Sequence, residues 1–171
     1  SITAQLLPGT EGAGLPFWSP DSKSIGFFVP GKLKKIDVAG GPPQTICDAP
    51  NGRGGTWSRD GVIVFAPSNP SPSLLRVSAS GGEPSPVTKL QTGESDHRLP
   101  WFLPDGKHFL YTASVTGEYS RLVFAGSLDS LQPRRLLATN SAAVYASPGY
   151  VLFVRQGTLL AQPFDAKGLQ L

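Results

Sequence analysis

Few side chains in this sequence are of a type that does chemistry, and their spacing decides which chemistry is open to them. Asp21, Asp60 and Asp105 recur at intervals of 39 and 45 residues. A calcium site needs roughly six to eight oxygens converging on one ion. Single carboxylates on separate turns do not supply them, so these aspartates read as turn residues. The soft ligands are Cys47, His97 and His108, and their scatter lacks any zinc-site spacing. Gly52-Arg53-Gly54-Gly55 is glycine-rich, but it leads into an apolar stretch with Trp57 and not into the helix that a phosphate cradle requires. The sequence holds no G-x-S-x-G elbow and no H-R-D or D-F-G motif. The expectation is therefore no catalytic residue, no metal, no cofactor and no enzymatic activity in these residues.

The elements that position those residues are limited by composition. Of 171 residues, 20 are Gly and 17 are Pro, the two worst residues for helix interiors, which excludes a helical bundle. A hydrophobic content of 39% with 16% charged residues excludes a disordered chain. No apolar run approaches the roughly 20 residues that span a bilayer. The net charge is +3, and the basic clusters are small: Lys32, Lys34 and Lys35, and the pair Arg134 and Arg135. That is too sparse for a nucleic-acid stripe, so no nucleic acid is expected. The lone Cys47 can form no internal disulfide. The absence of methionine points to a processed chain or a piece of a longer one.

One pattern recurs along the whole chain. Pro16-Phe17-Trp18-Ser19-Pro20-Asp21, Gly55-Thr56-Trp57-Ser58-Arg59-Asp60-Gly61, Pro100-Trp101-Phe102-Leu103-Pro104-Asp105-Gly106 and Val144-Tyr145-Ala146-Ser147-Pro148-Gly149 are copies of one another. A period of 39 to 45 residues is that of a four-stranded propeller blade. The Pro presets φ for a turn, the Asp hydrogen-bonds the nearby backbone, and the Gly takes positive φ. After each turn comes a short apolar run (25–29, 62–66, 109–113, 151–154). An alternating strand follows (33–38, 75–78, 122–125, 159–162), then a glycine-rich or polar turn. Then comes an outer strand with Pro at its start (44–47, 87–90, 135–138). The aromatic before each turn, Trp18, Trp57, Trp101 or Phe102, and Tyr145, is placed to pack between adjacent sheets.

Ile2 to Leu7 resembles an outer strand, and the chain stops after a third strand. The count becomes sixteen strands: an outer strand at 2–7, blades at about 11–47, 53–90 and 97–138, and three strands of a fourth at 142–171. The expected fold is an all-β propeller segment of about four four-stranded blades, a single domain over 1–171. It is part of a larger propeller or is completed by self-association, with the strands at 2–7 and 158–164 exchanged between copies.

The Trp18-Ser19-Pro20-Asp21 and Leu103-Pro104-Asp105-Gly106-Lys107 turns, with Asp37-Val38-Ala39-Gly40-Gly41 and Ser78-Ala79-Ser80-Gly81-Gly82-Glu83-Pro84, resemble the repeats of TolB-type β-propellers. The stretches Phe17 to Phe65 and Tyr150 to Asp165 are similar to propeller regions that follow bacterial serine/threonine protein kinases. Arg59 replaces the turn proline, and the fourth copy has lost its Asp. The resemblance implies a non-catalytic module for protein or ligand binding in a larger bacterial protein such as a kinase, placed outside the cytoplasm. The alternatives it implies are the propeller accompanying a prolyl-oligopeptidase-type hydrolase, or a TolB-like periplasmic docking protein. Residues just before the inner strands face one rim of the channel in such a fold. The expected contacts for a protein or small ligand at the rim or channel are therefore Glu11, Arg53, Asp96, His97 and Arg98.

Overall fold

The computed structural model describes residues 3–68, 71–117 and 120–171. Fifteen β-strands make up its regular structure, with no helix among the described residues. The first sheet holds β1 (Gly14–Trp18), β2 (Ser24–Val29), β3 (Lys32–Asp37) and β4 (Gln44–Asp48). The second holds β5 (Gly55–Trp57), β6 (Val62–Phe65), β7 (Leu75–Ser78) and β8 (Ser85–Pro86). The third holds β9 (Glu94–Phe102), β10 (His108–Val115), β11 (Arg121–Ser127) and β12 (Ser130–Thr139). The fourth holds β13 (Ala143–Ala146), β14 (Tyr150–Arg155) and β15 (Thr158–Pro163). Each sheet is an antiparallel meander in chain order, and the four are the blades of a propeller.

The turns between inner and second strands close locally, as their residue types require. Ser19 Oγ donates to Asp21 Oδ1 at 2.6 Å, the Lys23 amide donates to the same oxygen, and the Ser24 amide donates to Ser19 Oγ. In the third blade the amides of Lys107 and His108 both donate to Asp105 Oδ1 at 2.9 Å. Gly61 and Gly106 hold the left-handed position, and Ser22 holds it in the first blade at φ 57°. Asp21 and Asp105 are thus occupied by their own turns.

Three apolar clusters lie between neighbouring sheets. One joins Phe28, Leu33 and Cys47 to Ile63, Phe65 and Val77. A second joins Val64, Ala66 and Leu74 to Phe109, Tyr111 and Phe124. The third joins Leu110, Val123 and Leu137 to Val151, Phe153 and Phe164. Blades therefore pack in sequence order, and among the described residues no comparable packing joins the first sheet to the fourth.

Three expectations are corrected here. Residues 3–7 form no strand, and Ile2 lies outside the described residues, so the fourth sheet has three strands. The N-terminal segment instead passes against the first blade. Thr10 Oγ1 donates to the Leu7 carbonyl, and a Cβ on Gly9 would fall 2.9 Å from Pro43. The outer strand of the second blade is Ser85–Pro86 and not 87–90. Beyond Val87 the ladder passes to a side chain, because the Leu74 amide donates to Thr88 Oγ1 at 2.9 Å. Finally, Trp18 does not pack between sheets: it is 57% exposed, because no sheet of the described residues lies on its side of the first blade. Its neighbour Phe17 points the other way and lies over Gly26 and Gly55, which have no side chain to obstruct it.

Candidate binding site at the channel mouth

The inner strands β1, β5, β9 and β13 are the edge strands of their sheets, and together they surround a cavity of about 730 Å³. Its wall is built from equivalent stretches of the repeat: Leu15 to Pro20, Gly54 to Arg59, Leu99 to Pro104, and Ala142 to Tyr145. Trp18 and Trp101 expose their rings there, at 57% and 45%. Among the described residues, Arg59 is the one charged side chain of the lining and no carboxylate takes part. A mostly apolar concavity with a few polar groups is the usual form of a ligand site.

Backbone strain marks the same wall. Leu15 and Leu99 hold φ of 49° and 53°, and Gly54 holds 105° at the equivalent place in the second blade. All three stand three residues before the aromatic that pairs with the second strand. Left-handed backbone costs a non-glycine residue about 1–2 kcal/mol. It shifts the β1–β2 and β9–β10 register and creates bulges that re-aim the side chains that follow. The strain at Leu99 is held by cross-blade bonds: its amide donates to the Arg53 carbonyl at 3.0 Å, and the Phe102 amide donates to Thr56 Oγ1 at 3.0 Å.

The residues expected at the rim are not among the lining of this cavity. Glu11 is exposed in the N-terminal segment, and Arg53 is exposed just before β5, beside Leu99 through its carbonyl. Asp96 and Arg98 pair with each other on β9, through Arg98 Nε to Asp96 Oδ1 at 2.7 Å and through Nη2 to Oδ2. Burial works to raise the Asp96 pKa, but hydrogen bonds from Arg98 and Ser114 prevail and hold it below the ordinary value. None of the five lines the cavity.

His97 is buried at 2% exposure and belongs to a closed chain of hydrogen bonds. Its Nε2 lies 2.9 Å from Glu94 Oε2, and its Nδ1 lies 2.8 Å from Thr88 Oγ1. A carboxylate only accepts, so Nε2 carries the proton and Nδ1 accepts from the Thr88 hydroxyl. That hydroxyl in turn accepts from the Leu74 amide. Tyr111 packs on the imidazole with ring centroids 4.7 Å apart. Burial pushes the His97 pKa down despite Glu94. The imidazole holds the outer edge of the second blade to β9, and its nitrogens are both used in doing so. His108 is likewise taken up by its turn, with Nδ1 2.5 Å from Asp105 Oδ2.

The cavity residues carried a sequence signal that is visible in retrospect: Leu15-Pro16 and Leu99-Pro100 are the same dipeptide at the same repeat position. Charged residues drew attention upstream, while the wall itself is aromatic and proline-rich.

Comparison with known proteins places this architecture. No family model matches the chain. The solved structure of a putative TolB from Agrobacterium tumefaciens superposes with a TM-score of 0.69 at 21% identity, covering 87% of this chain and 56% of that one. A prolyl endopeptidase structure superposes at 0.57 and 18% identity, covering 90% of this chain and 29% of that one. The fold is thus that of a TolB-like β-propeller. In sequence, the chain is 31% identical over 106 residues to an uncharacterized peptidase, YuxL, of Bacillus subtilis, a match that takes in 61% of this chain and 15% of that relative. These matches correct the expectation that the chain is not an enzyme, since both the sequence relative and a structural neighbour are named as peptidases.

Proposed function

We propose that the chain is the propeller of a peptidase-type enzyme and that peptide substrate is received at the channel mouth. The observation that carries this reading is the 31% identity to a chain named a peptidase. The geometry supports it. The inner strands are sheet edges, so their backbone groups can pair with an extended peptide. Trp18 and Trp101 offer ring faces on which prolyl or aromatic side chains stack. With Arg59 present and no carboxylate among the described lining residues, neutral or acidic segments are favoured over basic ones. The 171 residues hold no G-x-S-x-G elbow, so this reading assigns the nucleophile and its base to the rest of the full-length protein. Placement outside the cytoplasm belongs to the same proposal and is supported by the likeness to TolB. Linkage to a kinase rests on the sequence resemblance of Phe17 to Phe65 and Tyr150 to Asp165 alone.

The test is hydrolysis of fluorogenic peptides by the full-length protein that contains this chain. Trp101→Ala should raise KM several-fold with kcat nearly unchanged, the pattern of lost uniform binding. A full-length protein without peptide hydrolysis overturns the enzyme assignment. Unchanged KM in the Trp101 variant overturns the channel as the receiving site.

A further inference from the structure

The third blade is longer than the blade before it. Strands β10, β11 and β12 hold 8, 7 and 10 residues, whereas β6, β7 and β8 hold 4, 4 and 2. The second blade therefore covers only part of the face turned towards it. Leu122 and Phe124 on β11 pack on the cluster that the two blades share, and beside them the face opens into a groove of about 640 Å³. Pro133, Arg135 and Ala138 of β12 line the groove on one side, and Glu94 at the start of β9 lines it on the other. Its described walls lie in the interior of the chain, within residues 91–138, between two blades that each have a further blade of this chain on the far side.

The Glu94 side chain is 3% exposed. Its Oε2 accepts from the Gln91 amide at 2.7 Å and from His97 Nε2 at 2.9 Å. Both donors are neutral at pH 7, because burial holds the His97 pKa below 6.5. Among the described residues no hydrogen bond reaches Oε1, and no Lys or Arg pairs with Glu94. A buried charge is ordinarily paired, so this carboxylate in the groove wall calls for a cation. At the other end Arg135 is exposed and forms no ion pair among the described residues. Glu94 and Arg135 stand on the first and fourth strands of one sheet, whose backbones lie about 14 Å apart. Leu122, Phe124, Pro133 and Ala138 give the space between them an apolar floor.

We propose that this groove binds a short peptide with apolar side chains and free ends, its ammonium group on Glu94 and its carboxylate on Arg135. An amine supplies the charge that Glu94 lacks and a donor for Oε1. A free amino acid is too short to meet both residues, because its two charges are neighbours. An extended peptide of about three residues spans about 10 Å, and the Glu94 and Arg135 side chains make up the remainder. A fatty acid would satisfy Arg135 and the apolar floor but would leave Glu94 unpaired. The site lies apart from the channel mouth, goes beyond the peptidase reading and does not depend on it.

Calorimetric titration of this chain with trileucine tests the assignment, with N-acetyl-trileucine and trileucine amide as end-blocked probes. Trileucine should bind. Acetylation removes the cation that meets Glu94 and should weaken binding about tenfold or more, since the carboxylate is then left buried and unpaired. Amidation should weaken it about threefold, the smaller loss expected of a solvent-exposed pair. The acetyl probe queries Glu94 without altering it, so its bond to His97 stays intact. Arg135→Gln should abolish the preference for acid over amide and keep the acetyl penalty. Arg135 is exposed, and far-UV circular dichroism verifies that the variant folds. Trp101→Ala alters the channel wall and should change neither preference. Preferences that vanish in Trp101→Ala and persist in Arg135→Gln would put the peptide in the channel and overturn the groove. Trileucine that fails to bind at millimolar concentration, or binds with no regard to either blocked end, overturns it as well.

Discussion

The Leu99 amide donates to the Arg53 carbonyl at 3.0 Å, and this bond fastens the inner strand of the third blade to the chain entering the second. It also holds Leu99 in left-handed backbone at φ 53°. The two backbones come so close that a Cβ on Gly54 would lie 3.1 Å from the Leu99 Cα.

Gly54→Ala should therefore destabilise the chain by about 2 kcal/mol or more, from its own positive φ and from the backbone it would displace. Gly93→Ala is the comparison. Gly93 also has positive φ, at 88°, but nothing lies within 4 Å of its Cβ position. Its loss should be the smaller, about 1 kcal/mol. Urea denaturation of the two variants measures the difference, and equal losses would remove the close approach as a contributor.

Trp57→Ala should cost about 3 kcal/mol, because that ring packs on the cluster between the first two blades. Trp18→Ala should cost under about 1 kcal/mol, because its ring has little protein to leave. Thermal unfolding of the two variants decides between them. A reversed order would mean that the first blade is covered on its outer side.

Stability should fall as the solution is acidified from pH 7.5 to 5.5, and His97 should account for much of the fall. Burial sets its pKa in the fold below the unfolded value of 6.5. The unfolded chain then takes up a proton that the folded chain refuses, so His97's contribution is complete above that value and is lost as pH drops through it. His97→Gln should flatten this part of the profile, at a cost of about 1–3 kcal/mol at pH 7.5 for the broken chain of hydrogen bonds. Asp96 and Asp105, with pKa values held below the ordinary 3.8, act in a separate, more acid window. Their stabilisation is present above 3.8 and is lost as pH falls further. A profile of His97→Gln parallel to wild type between pH 7.5 and 5.5 would exclude the imidazole as the source.

Cys47 should resist thiol reagents in the native chain. It is 8% exposed, and burial pushes its thiol up to about 11, so little thiolate exists at neutral pH. Labelling with an aromatic disulfide reagent at pH 7.5 should be slow and should accelerate as urea approaches the unfolding midpoint. Rapid labelling without urea would show that the β3–β4 edge opens on its own.

The repeat, its turns and most strand positions were legible in the residues because they are governed locally. The Ser19–Asp21 and Asp105–His108 bonds close within five residues, and alternation of apolar side chains marks strands one at a time. The outer strand of the second blade was misplaced because the Thr88 side chain, 14 residues away in sequence, takes up the Leu74 amide. His97 reads as a rim residue from its position before an inner strand. Its burial follows from Tyr111, Thr88 and Glu94 closing around it, and no pattern in the sequence shows that convergence.

By itself, then, the sequence determined the all-β class and the period, because each depends on residue type and short spacing. Only the tertiary structure decided which aromatic rings are wet. Trp18 and Trp57 share a motif and a register, but one has a sheet beside it and the other has none. Whether a side chain is buried depends on what stands opposite it, and for these two the opposite surface belongs to another blade.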